Sequence, residues 1–187
     1  MSIADLYKRL KPEDAEYFVY VIKDLNDEEK ERLADELNEL PTPALNSAIS
    51  ILFRLSPKQI SAIVHNVNTD GPLLLLGDSI SNKRMILAHK LAYELIARDL
   101  LSSEFIGLTF TNEAAGNIAD TVSSLLPEKV FVHLPIGTFN AISMQILLEE
   151  TFGSLNIEKL GYKKKPEFRT VIAREQLLLL KRSIEES

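Results

Sequence analysis

Residues 73–84 read LLLLGDSISNKR, and the way this stretch is parsed decides the fold. Leu73, Leu74, Leu75 and Leu76 form a short unbroken apolar run, the pattern of a strand buried on both faces of a parallel sheet. A polar loop follows, and then a helix with Ile86, Leu87, Leu91, Leu95 and Ile96 at helical spacing. Within the loop, Gly77-x4-Asn82-Lys83-Arg84 is close to the G-x4-G-K-[ST] phosphate loop. In that motif a row of backbone N–H groups, a helix N-terminus and a lysine converge on phosphate oxygens. The candidate nucleotide-binding residues are therefore Gly77, Asp78, Ser79, Ile80, Ser81, Asn82, Lys83, Arg84 and Met85.

Two of these depart from the motif. Asn82 stands where glycine is usual, but Asn tolerates positive φ, so the turn survives at a cost of about 1 kcal/mol. Arg84 stands where a Ser or Thr hydroxyl would ligate Mg²⁺. A guanidinium cannot coordinate a metal, although it can neutralise phosphate directly. The competing reading of the stretch is a plain strand-to-helix turn with a solvated Lys-Arg pair.

Working outward, residues 105–110 read as a second strand and residues 114–126 as a second helix, on Ala115, Ile118, Ala119, Val122 and Leu126. A third strand is expected at 130–134 and a third helix at 139–150. The βαβαβα alternation implies right-handed crossovers and a parallel sheet covered by helices on both faces. Upstream, Ser56-Pro57 is an N-cap followed by an N1 proline, so a helix is expected from there to about residue 65. Residues 3–54 read as helical throughout. Asn26 with Glu29 three residues later has the form of a capping box. Pro41-Thr42-Pro43 ends one helix, and residues 44–55 make the next. Residues 161–167 form a basic turn with Lys163, Lys164 and Lys165, read as solvated, and a last helix is expected at about 174–184.

The chain has 187 residues, enough for one domain of ordinary size and an appendage. Its net charge of −6 falls within residues 1–50, which hold 6 Lys/Arg and 12 Asp/Glu, whereas 51–187 balance. An acidic segment beside a neutral one suggests separate units, 1–54 and 55–187, and argues against nucleic acid touching the first. No run approaches the roughly 18 apolar residues of a membrane span. The N-terminus lacks the basic-then-apolar order of a secretory signal. Without Cys there is no disulfide framework or thiolate metal site. His65, His89 and His133 lack metal-ligand spacing, so no metal site is expected from them. The expectation is a soluble cytoplasmic protein without membrane contact.

Taken in order, four motifs resemble the nucleotide-binding half of UvrD/PcrA/Rep-type DNA helicases. They are residues 55–59 (LSPKQ), 73–84, 108–115 (LTFTNEAA) and 136–140 (IGTFN). The resemblance covers about residues 55–184 and implies a three-layer α/β phosphate-loop (RecA-like) domain, truncated, behind a helical N-terminal extension. It implies that Gln59 contacts the adenine edge, for which a glutamine supplies donor and acceptor. By itself Gln59 reads as a surface residue of an amphipathic helix. The resemblance also implies single-stranded-DNA contacts from Phe110, Asn112, Thr138, Phe139 and Asn140. An aromatic ring there stacks on a base, worth about 1–3 kcal/mol. Phe110 read alone could equally be a strand-end core aromatic.

Glu113 replaces a lysine of the family pattern and Asn140 a histidine. The family's D-E-x-x motif has no counterpart, since Glu149 and Glu150 fall in the helix after the GTFN turn. Residues 168–184 resemble the start of the family's inserted helical subdomain. The implied ligand is ATP, with Mg²⁺ in doubt at Arg84. The leading expectation is an ATP- and single-stranded-DNA-binding part of such a helicase that does not hydrolyse ATP or unwind DNA alone. The alternative is a degenerate, non-hydrolysing module that docks a protein partner through residues 1–54. A third is that sequence beyond Ser187 supplies the acidic motif.

Overall fold

A computed structural model of the chain describes residues 3–77, 82–127 and 134–153, the last seven by backbone alone. Residues 1–142 form one compact unit, and residues 143–187 a second. Of that second unit only the continuation of one helix, to Gly153, is described.

The N-terminal segment is four helices, α1 (Ile3–Arg9), α2 (Pro12–Ile22), α3 (Asp27–Glu39) and α4 (Thr42–Leu52). The capping box that opens α3 forms as its sequence dictates. The Asn26 side chain accepts from the Glu29 N–H at 2.8 Å, and the Asn26 N–H donates to Glu29 Oε2 at 3.0 Å. Helix α4 starts at Thr42, two residues earlier than expected, because Pro43 falls within its first turn, where no N–H is needed. Next come α5 (Pro57–Val64), the short α6 (Val67–Asp70) and α7 (Lys83–Ala97).

The α/β part then follows with β1 (Gly107–Thr109), α8 (Asn112–Leu125), β2 (Ile136–Thr138) and α9 (Phe139–Gly153). Strands β1 and β2 are parallel, in the register Gly107↔Ile136, Leu108↔Gly137 and Thr109↔Thr138. A Cβ at position 107 would meet Ile136 Cγ1 at 2.8 Å, so this close approach requires the glycine.

One apolar core runs through the N-terminal helices into the α/β part. It includes Leu6, Phe18, Leu33, Leu37, Leu45, Ile49 and Leu52, and continues through Ile60, Ile63, Ala92, Tyr93 and Val122. Helix α7 lies at its centre, packed on α4, α5 and α8. Among the described residues no helix is long and apolar enough to cross a membrane.

One strand expectation is corrected. Residues 73–76 do not form a strand, and they are not buried on both faces. Leu74 is 77% exposed and Leu76 85%, while Leu75 packs against the core. A parallel strand is covered on both faces only when it is hydrogen-bonded within a sheet. The described sheet is β1 and β2 alone, so among the described residues the leucine run has no ladder.

The strand expected at 130–134 falls almost wholly on residues outside the described ones, and the described strand that follows is β2. Just before β2, the Pro135 carbonyl accepts from the Gly107 N–H at 2.9 Å. Residues 128–133 lie outside the described residues. So do the Lys163, Lys164 and Lys165 turn and the helix expected at 174–184.

Candidate functional site

Three connections, each leading into a helix, carry most of the candidate residues. The first precedes α7. Asn82 is the N-cap residue of α7 at φ 50°, ψ 33°, the left-handed conformation that the motif's glycine would adopt. Its side chain makes no capping hydrogen bond to the helix. Lys83 Nζ donates to the Gly77 carbonyl at 2.5 Å, joining the two ends of the loop. Asp78, Ser79, Ile80 and Ser81 lie outside the described residues.

Asn82, Lys83, Arg84 and Met85 line a cleft of about 420 Å³, closed on its other side by Asn117, Ile118 and Thr121 of α8. The sequence reading missed Asn117 and Thr121. Their i,i+4 spacing on α8 was the available signal, and Thr121 Oγ1 donates to the Asn117 carbonyl at 2.7 Å. Helix N-terminus, lysine and arginine make a donor set that fits an anion such as a nucleotide polyphosphate. The same set does not fit Mg²⁺, because Arg84 brings a fixed positive charge and no oxygen ligand.

Gln59 is the third residue of α5. Its Oε1 accepts from the Ser56 N–H at 2.8 Å, so the residue expected at an adenine edge also closes its own helix cap. His89, in α7, is half-buried with Nδ1 3.0 Å from the Met85 carbonyl. Burial holds its pKa below the ordinary histidine value despite that bond, as befits a packed structural residue.

The other two connections leave β1 and β2 side by side. Phe110 follows β1 and is fully exposed at 103%, and Phe139 follows β2 and is 69% exposed. The register pairs Thr109 with Thr138, so the two rings stand at neighbouring positions on the C-terminal edge of the sheet. Full exposure removes the reading of Phe110 as a core aromatic. Each loop is fixed beneath its ring by a threonine. Thr111 Oγ1 accepts from the Ala114 N–H at 3.1 Å, and Thr138 Oγ1 from the Ala141 N–H at 3.3 Å. Thr109 Oγ1, 2.9 Å from the Thr111 carbonyl and 3.4 Å from that of Gly137, links the loops. Asn112 and Asn140 are exposed in the first turns of α8 and α9, as is Glu113. The edge thus offers two flat apolar faces with amide groups between two helix N-termini.

A family model described as the UvrD/REP helicase N-terminal domain matches residues 55–187. The chain is 32% identical over 108 residues to the ATP-dependent DNA helicase UvrD1 of Mycobacterium leprae, covering 57% of this chain and 14% of that one. It is 29% identical over 136 residues to the ATP-dependent DNA helicase PcrA of Bacillus subtilis, covering 73% of this chain and 17% of the relative. With PcrA of Leuconostoc citreum it shares 28% identity over 132 residues, 71% of this chain and 16% of that protein. The chain therefore spans less than a fifth of the length of these relatives.

Proposed function

The chain belongs to the UvrD/REP helicase N-terminal domain family, and from that premise we propose that it binds ATP and single-stranded DNA without hydrolysing the one or unwinding the other by itself. The observation that carries this reading is the pair of exposed rings, Phe110 and Phe139, at adjacent positions on the sheet edge. Exposed aromatic rings are costly to leave in water and are what stacked bases require. Asn112, Thr138 and Asn140 supply the polar contacts around them. At the other site, residues 77–85 hold the polyphosphate, with Lys83 and Arg84 as its cations and Gln59 at the base.

Phosphoryl transfer needs a metal clamp, a positioned water and transition-state cations. Arg84 occupies the position from which the metal would be held, so the nucleotide is read as a static ligand. In this reading residues 55–187 are a phosphate-loop domain, residues 1–54 are a helical addition to it, and the protein is cytoplasmic.

The test is one set of titrations on the full chain. At 100 times Kd a ligand stabilises by about 2.7 kcal/mol, which for this size raises Tm by roughly 5–10 °C. ATP should give such a shift with or without Mg²⁺, and Lys83→Ala should abolish it. In parallel, Phe110→Ala should weaken binding of a fluorescent oligothymidylate by about 1–3 kcal/mol. Absence of both the ATP shift and oligonucleotide binding would refute the reading.

A further inference from the structure

Helix α3 precedes the part of the chain matched by the family model, yet charged side chains tie it to the helices that carry the nucleotide site. Lys90 of α7 and Arg98, its C-cap residue, both reach the C-terminal end of α5. Lys90 Nζ donates to the carbonyls of Ile63 at 3.2 Å and His65 at 2.5 Å, and Arg98 Nη2 donates to that of Val64 at 2.7 Å. A helix leaves its last carbonyls without partners, and its dipole favours cations there. Glu94 lies between the two cations. Its Oε1 is 2.9 Å from Lys90 Nζ and 2.5 Å from Arg98 Nη1.

Two cations sharing one carboxylate leave a surplus positive charge where the side chains are only 13–16% exposed. Glu36 of α3 supplies the second carboxylate, with Oε1 2.9 Å from Arg98 Nε. Burial alone would lower the pKa of Arg98, but Glu36 and Glu94 more than reverse that. A second tie is made by Arg32, whose Nη2 lies 2.7 Å from Asp70 Oδ2. That oxygen also accepts from the Asn66 N–H at 3.2 Å, fixing the turn between α5 and the leucine run.

We propose that Glu36 and Arg32 are positioning residues for the nucleotide site, holding α5 and α7 through Arg98 and Asp70 so that Gln59 and Lys83 are presented together. The inference rests on the nucleotide reading of residues 77–85. Gln59 and Lys83 stand at the N-terminal ends of their helices, and the clamp grips the C-terminal ends. Helix α7 is about 22 Å long, so a tilt of about 5° at Arg98 displaces the Lys83 end by about 2 Å.

The experiment compares Glu36→Gln and Glu36→Asp with the wild type in the full chain, at a temperature where circular dichroism shows all three folded. Calorimetric titration with ATP should show binding weakened about fivefold to tenfold in Glu36→Gln and largely recovered in Glu36→Asp. Hydrogen exchange should quicken about tenfold in peptides covering 71–77 and 83–90 of Glu36→Gln, with α8 unchanged. Unchanged affinity and exchange, or exchange that quickens equally in α8, would overturn the inference. If the wild type binds no ATP, the nucleotide reading fails, and the exchange pattern alone still decides whether α3 positions these helices.

Discussion

A guanidinium at position 84 carries a fixed charge and no lone pair, so it changes the kind of ligand that the loop accepts and not merely the strength of binding. Arg84→Ser restores an oxygen at that place and removes the cation. Without metal, the loss of a charge-assisted hydrogen bond, worth about 1.5–3 kcal/mol, should weaken ATP roughly tenfold or more. Adding Mg²⁺ should recover much of the loss in the variant and change nothing in the wild type. Calorimetry with Mg²⁺ and with EDTA measures both, and a wild type whose ATP affinity rises with Mg²⁺ would contradict the account. Residue chemistry of this kind was legible from the sequence. The tolerance of Asn82 for positive φ followed from its side chain, and the structure has it at φ 50°. Exposure was not legible. LTFTN fits a packed ring or a free one, and only the edge position of Phe110 separates them.

Local signals settle a helix more readily than a strand, because a helix satisfies its own backbone whereas a strand depends on a neighbour. Asn26 with Glu29, and Ser56 with Pro57, announced α3 and α5, and both helices start there. Four consecutive leucines announced a strand that has no described partner. The Lys90, Glu94, Arg98 ladder could be read from its i,i+4 spacing, but its fourth member, Glu36, comes from a helix distant in sequence. Helix α7 also contains a titration that can be tested. The folded-state pKa of His89 lies below its ordinary value, so between those two values the folded protein binds fewer protons than the unfolded chain. Its contribution is therefore lost as pH falls from the ordinary histidine range toward the lower folded-state value. The fall in Tm between pH 7.5 and 5.5 should be smaller in His89→Gln than in the wild type, and equal slopes would show that His89 is not a source of it.

Charge and packing divide the molecule differently. All of the net charge of −6 lies in residues 1–50, a division between an acidic segment and a balanced one. The core ignores that division. Among the described residues, thirteen of the twenty-one in the apolar cluster precede residue 55. Ile60, Ile63, Ala88, Ala92 and Tyr93 are buried within the cluster to which the N-terminal helices contribute. Each large side chain among them is worth about 1.5–3 kcal/mol when buried, and a domain has only about 5–15 kcal/mol of net stability to lose. Residues 55–187 made alone would also lose the ion pair of Glu36 with Arg98. The shortened chain should therefore collapse without fixed packing. It should keep far-ultraviolet helical dichroism, lose near-ultraviolet signal from its tyrosines and bind the dye ANS. A sharp two-state melt of residues 55–187 near the wild-type Tm would mean that the N-terminal helices are dispensable to the core. Adding residues 1–54 back as a separate peptide then distinguishes lost packing from lost covalent linkage, since restored near-ultraviolet signal is expected only if the missing core surface was the cause.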